Sequence, residues 1–213
     1  MSASHPSASE RSERRRREVC EAACRVIIRN GLETTTMRDI SREGGFTTGV
    51  LTHYFPDKHA VIVGAFVAAS DDWLTELRRR LAAAGTPGEQ LVALVHLALP
   101  SDPGRRAEYR LWSEMWNYAG HDPEFAAQLV ATDAIWERQI RGVLERGREA
   151  GLLANIDAAA EAAVLARLID GLGLRAWIGD SWEDARARLV HHMGTLGVPG
   201  PVLRRMHCEE EDE

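Results

Sequence analysis

Within residues 44–61, GGFTTGVLTHYFPDKHAV, the hydroxyls of Thr47, Thr48, Thr52 and Tyr54 stand close to an imidazole, His53, and an ammonium, Lys58. No carboxylate interrupts them before Asp57. Short hydroxyls donate and accept hydrogen bonds, while imidazole, phenol and ammonium groups donate at longer reach. A carboxylate-free surface of this kind suits phosphate oxygens and the edges of bases. On a short helix, Thr47, Thr48, Gly49, Thr52 and His53 form the exposed row, and Leu51 and Phe55, four apart, form the buried side. Thr47 and Thr48 can bond phosphate or base edges, and Gly49 lets the backbone approach closely. His53 and Tyr54 can donate to phosphate oxygens at the far end. Lys58, opening the next helix, would place an ammonium on the same strand, with Thr36 and Arg38 doing the equivalent from the preceding helix.

These residues need helices to hold them. Residues 1–10 are Ser/Ala/Pro-rich and read as disordered. From Arg14 the apolar residues Val19, Ala22, Ala23, Val26 and Ile27 recur at helical spacing and stop at Asn30-Gly31. TTTMRDISREGG is a short helix with Thr35 or Thr36 as its cap and Asp39 in its first turn; Gly44-Gly45 ends it. TTGVLTHYF is a second short helix, stopped by Pro56. Asp57 caps a long helix from Lys58 to Leu81 with an apolar stripe of Ile62, Phe66, Trp73 and Leu77. Helical spacing resumes over 88–99, 103–119, 123–150, 157–178 and 182–196, separated by Gly, Pro and Asp turns. No alternating strand pattern is visible, so the chain reads as all-α, with about nine helices. It divides into a disordered segment at 1–10, a helix-turn-helix unit at 11–58, a helical bundle at 59–200 and an acidic, solvated tail at 201–213.

Two short helices joined by a Gly-containing turn and packed by a preceding helix outline a helix-turn-helix. Periodicity alone leaves open a solvated helical hairpin with ordinary caps. The net charge of −6 excludes coating of nucleic acid or membrane by bulk electrostatics, so any such binding must be local. Cys20, Cys24 and Cys208, with no secretory signal and no run long enough to span a membrane, point to reduced thiols in a cytoplasmic, non-membrane protein. The arginines at 14–17 are either a solvated helical turn or a phosphate or minor-groove contact.

The run DISREGGFTTGVLTHYFPDK resembles the DNA-binding domain of the TetR family of bacterial regulators. There, a helix ending in Ile-Ala-x-x-Ala-Gly-Val is followed by Ser-x-Gly-x-Leu-Tyr-x-Tyr/His-Phe and then x-x-Lys. This chain has Gly44 for the usual Ala, Phe46 for the usual Val and Thr52 for the usual Tyr. The first two should alter the packing of the turn, and the third leaves the base contact at that position open. EYRLWSEMWNYAGHDPEF, LARLIDGLGLRAWIGD and ARLVHHMGTLG are similar to the C-terminal domain of that family's BetI-type subgroup, named for a choline-responsive repressor. The resemblance spans most of 14–197. It implies a transcriptional repressor, not an enzyme, that binds double-stranded palindromic operator DNA as a homodimer and holds a small-molecule effector in its C-terminal bundle.

The residues of that bundle fit such a role. The helix over 157–178 carries few charges and is apolar on nearly every side; with the last helix it reads as a dimer interface through Leu165, Leu168, Ile169, Leu172, Leu189 and Met193, or else as monomer core. Trp112 and Trp116 lie four apart, with Met115 between them and Trp136 and Trp177 on other helices. Indole faces can cage a cationic effector, and Glu108, Glu114 and Asp133 can supply counter-charge; core packing is the plainer reading of the same residues. No cofactor or metal site is expected: Cys20 and Cys24 lack further ligands at zinc spacing, His191 and His192 point to different helix faces, and His96 sits in an apolar run. The competing readings are a helical enzyme using His191 and His192, for which no catalytic motif is present, and a DNA-binding regulator without a sensor.

Overall fold

The computed structural model describes residues 7–207, and among them every regular element is an α-helix. In order these are α1 (Ala8–Asn30), α2 (Met37–Gly44), α3 (Thr48–Tyr54), α4 (Lys58–Ala83), α5 (Pro87–Ala98), α6 (Pro103–Ala119), α7 (Pro123–Glu149), α8 (Ala158–Ile178), α9 (Trp182–Thr195) and α10 (Gly200–His207). The chain divides into two compact units, with the division between Trp73 and Leu74.

Most helix starts follow from capping chemistry written in the sequence. Thr36 and Asp39 form a reciprocal capping box on α2, as do Thr86 and Glu89 on α5. Asp102, Asp122, Asp157 and Ser181 accept from first-turn N–H groups of α6, α7, α8 and α9. Asp57 accepts from Ala60 N–H at 2.8 Å, as expected for the start of α4.

Two expectations at the ends of the chain are corrected. α1 begins at Ala8 because Ser7 and Glu10 form a capping box, so residues 7–10 are helical or capping and not disordered. Residues 200–207 form α10, where a solvated tail was expected. Its Met206 is fully buried, and the helix packs on α5 and α9. Residues 1–6, Cys208 and the terminal acidic run lie outside the described residues.

In the first unit, Val19, Cys20, Ala22, Ala23 and Val26 of α1 pack with Ile40, Leu51, Phe55, Val61 and Ala65 in one core. The last two belong to α4. The boundary expected at residue 58 therefore falls inside α4, whose first half completes the core beneath α2 and α3. In the second unit α6, α7 and α8 pack on one another, α5 lies on α7, and α9 lies on α8.

Candidate functional site

The turn between α2 and α3 is set by Gly45, which takes the left-handed conformation at φ +69°. Its N–H donates to Arg42 O, while Phe46 N–H donates to Ser41 O at 3.0 Å. This pair of bonds satisfies carbonyls at the end of α2 in the pattern of a Schellman cap, and a residue with a Cβ would be strained at position 45. Gly44 has a different reason to lack a side chain. A Cβ there would lie 1.8 Å from Phe46 Cζ, so the Phe46 ring fills the space that an alanine would need. Gly44 and Phe46 are therefore one complementary feature.

On α3, Leu51 is fully buried and the Phe55 that follows is nearly so. Thr47, Thr48, Gly49, Thr52 and His53 are all exposed, forming the row expected from their spacing. Thr47 accepts from Val50 N–H at 3.3 Å as the helix cap, and Thr52 Oγ1 donates to Gly49 O at 3.2 Å. A Cβ on Gly49 would meet nothing closer than Thr47 Oγ1 at 3.9 Å, so packing within the chain does not require glycine there. Tyr54 is half-buried, edge-on to the His53 ring at 4.9 Å. Val50, which the sequence reading does not single out, is 36% exposed beside this row. Its position three residues after Thr47 is the signal that places it on the outer side.

The flanking candidates are more committed within the chain. Thr36 donates its hydroxyl to Asp39 at 2.6 Å, and this bond holds the Asp39 carboxyl below the usual carboxylate range. A phosphate at the start of α2 would meet that carboxylate. Arg38 is exposed. Lys58 Nζ donates to Leu32 O at 2.8 Å and to Glu33 O at 3.2 Å, tying the start of α4 to the turn after α1. Its ammonium has a structural duty that spacing did not reveal.

The arginine run is also engaged. Arg14 and Arg15 pair with Glu18. The Arg15 guanidinium lies 5.8 Å from the centre of the Phe46 ring. Arg16 donates to Tyr54 O at 3.0 Å and stacks 4.5 Å from the Phe55 ring centre. Arg17 pairs with Glu21 and with Asp72 of α4. Arg25 and Arg29 both reach Glu43 at 2.9 Å, joining α1 to α2.

In the second unit, Met115 is fully buried and Trp136 nearly so, while Trp112, Trp116 and Trp177 are partly exposed. The buried Tyr109 donates its hydroxyl to Ala98 O and meets Trp182 edge-on at 5.1 Å. Its ring lies against Gly173 of α8, where a Cβ would come within 1.9 Å. Close by, Arg167 of α8 faces three carboxylates: Glu137 at 2.6 Å, Asp170 at 3.4 Å and Asp133 at 3.7 Å. Burial, reinforced by the Asp133 charge and opposed by Arg167, pushes the Asp170 carboxyl up to about 6. Burial likewise raises Asp133. This acidic group contains one expected counter-charge, Asp133, and adds Asp170 and Glu137; Glu108 and Glu114 are partly buried on α6. A carboxylate in the largely apolar α8, one of only two acids there with Glu161, was the available signal for Asp170.

The proposed interface residues divide. Leu165, Ile169, Leu189 and Met193 are buried within the single chain, which corrects their assignment to a subunit contact. α8 and α9 pack on each other and consume those faces. Leu168 and Leu172 are partly exposed, and the outer side of α8 presents Val164, 54% exposed, and Ile178, 61% exposed. The histidines serve as packing links: His192 Nε2 lies 2.7 Å from Glu161 of α8, and His96 Nε2 lies 3.2 Å from Met206 O. Burial pushes the thiols of Cys20 and Cys24 up to about 11 and about 12, so neither is activated as a thiolate. No described helix is long and apolar enough to cross a membrane.

Comparison with known proteins places these two regions in context. Residues 19–64 match the family model of bacterial regulatory proteins of the tetR family. Residues 87–195 match that of the C-terminal domain of BetI-type transcriptional repressors. The HTH-type transcriptional regulator BetI of Burkholderia cenocepacia is 30% identical over 176 residues, covering 82% of this chain and 88% of the relative. Among solved structures, a transcriptional regulator from Saccharomonospora viridis in complex with choline superposes with a TM-score of 0.77 at 25% identity, covering 85% of this chain and 96% of that one. A TetR-family regulator from Rhodococcus sp. superposes at 0.76 with 19% identity, covering 87% of this chain and 99% of that one, a likeness of fold.

Proposed function

The chain belongs to the TetR family of bacterial transcriptional regulators, with a BetI-type C-terminal domain and regulators rather than enzymes as its relatives, and we propose that it is a repressor that binds a palindromic operator as a homodimer and leaves it on binding a small cationic effector. The observation that carries the DNA-binding half is the outer row of α3: Thr47, Thr48, Gly49, Thr52 and His53 exposed together, without a carboxylate, above a buried Leu51. Such a row can enter a major groove and bond base edges, and the methyls of Val50 suit contact with a thymine methyl.

The outer side of α8 supports the dimer. Val164, Leu168, Gly171 and Ile178 recur at spacings of four, three and seven on one helix face, and two such faces can pack as a helical pair. For the effector, Asp133, Glu137 and Asp170 outnumber their shared partner Arg167, and indoles stand on the same three-helix group, α6 to α8. A quaternary ammonium, like the choline bound by the regulator from Saccharomonospora viridis, would find counter-charge and aromatic faces there. Its binding would act through α4, which runs from one unit into the other, with a coupling of about 1–3 kcal/mol.

Selection of duplexes from a random library by the purified protein, at two salt concentrations, tests the reading. An enriched palindrome whose binding weakens with salt is expected, and its half-site spacing reports the separation of the two α3 helices. Titrating choline against that complex then tests the sensor. Failure to enrich any sequence at low salt refutes operator recognition; operator binding indifferent to choline and related cations refutes the effector class.

A further inference from the structure

The four arginines at 14–17 look like a basic arm in the sequence, yet their partners lie within the chain. Arg15 and Arg16 reach the two ends of the recognition helix: Arg15 lies over Phe46, which immediately precedes the α3 cap Thr47, and Arg16 donates to the last α3 carbonyl, Tyr54 O, while stacking on Phe55 just beyond it. Arg17, the next residue, pairs with Asp72 near the middle of α4. We propose that Arg15 and Arg16 are positioning residues that clasp α3 at both ends and fix its angle for base reading, with Arg17 tying the same turn of α1 to α4, and that none of the three acts primarily as a phosphate contact.

The geometry favours a clasp for physical reasons. α3 has only two turns and one fully buried side chain on its inner face, Leu51, so its own hydrogen bonds and core contacts define its orientation weakly. The Tyr54 carbonyl is one of the acceptors that a helix C-terminus leaves without an intrahelical donor, and Arg16 supplies a charged one. A planar guanidinium can make that bond and stack on Phe55 together, which an ammonium cannot do equally well. Because Arg16 and Arg17 are adjacent on α1, a displacement of α4 at Asp72 is passed to the end of α3 through one helical turn.

This inference rests on the DNA-binding reading above, so its test has one arm that needs DNA and one that does not. The full-length protein is compared with Arg16→Gln, Arg16→Lys and Arg15→Gln for affinity to the selected operator and to a random duplex across a salt series. The clasp predicts that Arg16→Gln weakens operator binding about tenfold, leaves random-duplex binding and both salt slopes unchanged, and is partly rescued by Arg16→Lys. Equal loss on both duplexes with the salt slope reduced by about 1 overturns it in favour of a phosphate contact. The second arm is amide hydrogen exchange without DNA: faster exchange confined to Val50–Phe55 in Arg16→Gln supports the clasp even if wild-type protein shows no operator preference. Unchanged exchange there, or faster exchange throughout α1 to α3, overturns it.

Discussion

The complementarity of Gly44 and Phe46 can be tested by a double-mutant cycle. A Cβ at position 44 would sit 1.8 Å from Phe46 Cζ and 2.4 Å from both Cε atoms, so the ring must swing away in Gly44→Ala. Phe46 is part-buried; losing that contact costs about 1 kcal/mol of apolar burial and about 0.5 kcal/mol of its interaction with Arg15. Alanine regains about 0.5 kcal/mol of helix propensity at the last residue of α2, less than the mid-helix value. Gly44→Ala alone should therefore destabilise by about 1 kcal/mol, whereas in the Phe46→Val background, with no ring to displace, it should stabilise by about 0.5 kcal/mol. The coupling energy is then about 1.5 kcal/mol. Native-state hydrogen exchange of the buried α1 residues Val26 and Ile27 reads the stability of this unit apart from the other. Effects that add to within about 0.3 kcal/mol would show that the ring does not own the space beside Gly44.

Three further outcomes are expected. Gly173→Ala forces the buried Tyr109 ring out of its contact with α8 and should destabilise by about 2–3 kcal/mol in urea denaturation, whereas Gly171→Ala, in the same helix but with no atom of the chain within 4 Å of its Cβ, should stabilise by about 0.5–1 kcal/mol through helix propensity. Asp170 is held near 6, above its unfolded value of 3.8, so it binds more protons folded than unfolded between those pH values, and its contribution to stability should fall as pH rises from about 4 to about 6. A cation, needing the ionised carboxylate, should bind about tenfold more weakly at pH 5 than at pH 7 by calorimetry, and Asp170→Asn should remove that dependence; equal slopes in the two proteins would exclude Asp170 as the counter-charge. Thr48→Ala should change the preferred operator sequence in a repeated selection, and uniform weakening across all duplexes would count against base reading by its hydroxyl.

The local features of this protein are written in short stretches of sequence. Thr36, Asp57, Asp102, Asp122 and Asp157 fix helix starts through bonds to N–H groups two to three residues away, and Gly45 fixes the tight turn because its conformation excludes a Cβ. The outer row of α3 was legible for the same reason, since Thr48 and Thr52 are one helical repeat apart on one face and Leu51 and Phe55 one repeat apart on another. Contacts between residues distant in sequence decided the rest. Arg16 meets Tyr54 across 38 positions, and nothing in a run of arginines tells a phosphate ligand from a clasp. Leu165, Ile169, Leu189 and Met193 are as apolar as any interface, but α9 folds onto α8 and buries them within the chain, leaving Val164 and Ile178 outside. α10 escaped notice because an eight-residue helix has little periodicity of its own; what holds it is Met206, buried where α10 packs on α5 and α9. Asp170 was visible as one of two acids, with Glu161, in a largely apolar helix, yet its raised pKa exists only because folding buries it and sets Asp133 beside it. Sequence specifies bonds that close within one turn of helix; burial and charge pairing across helices depend on how the turns are packed together.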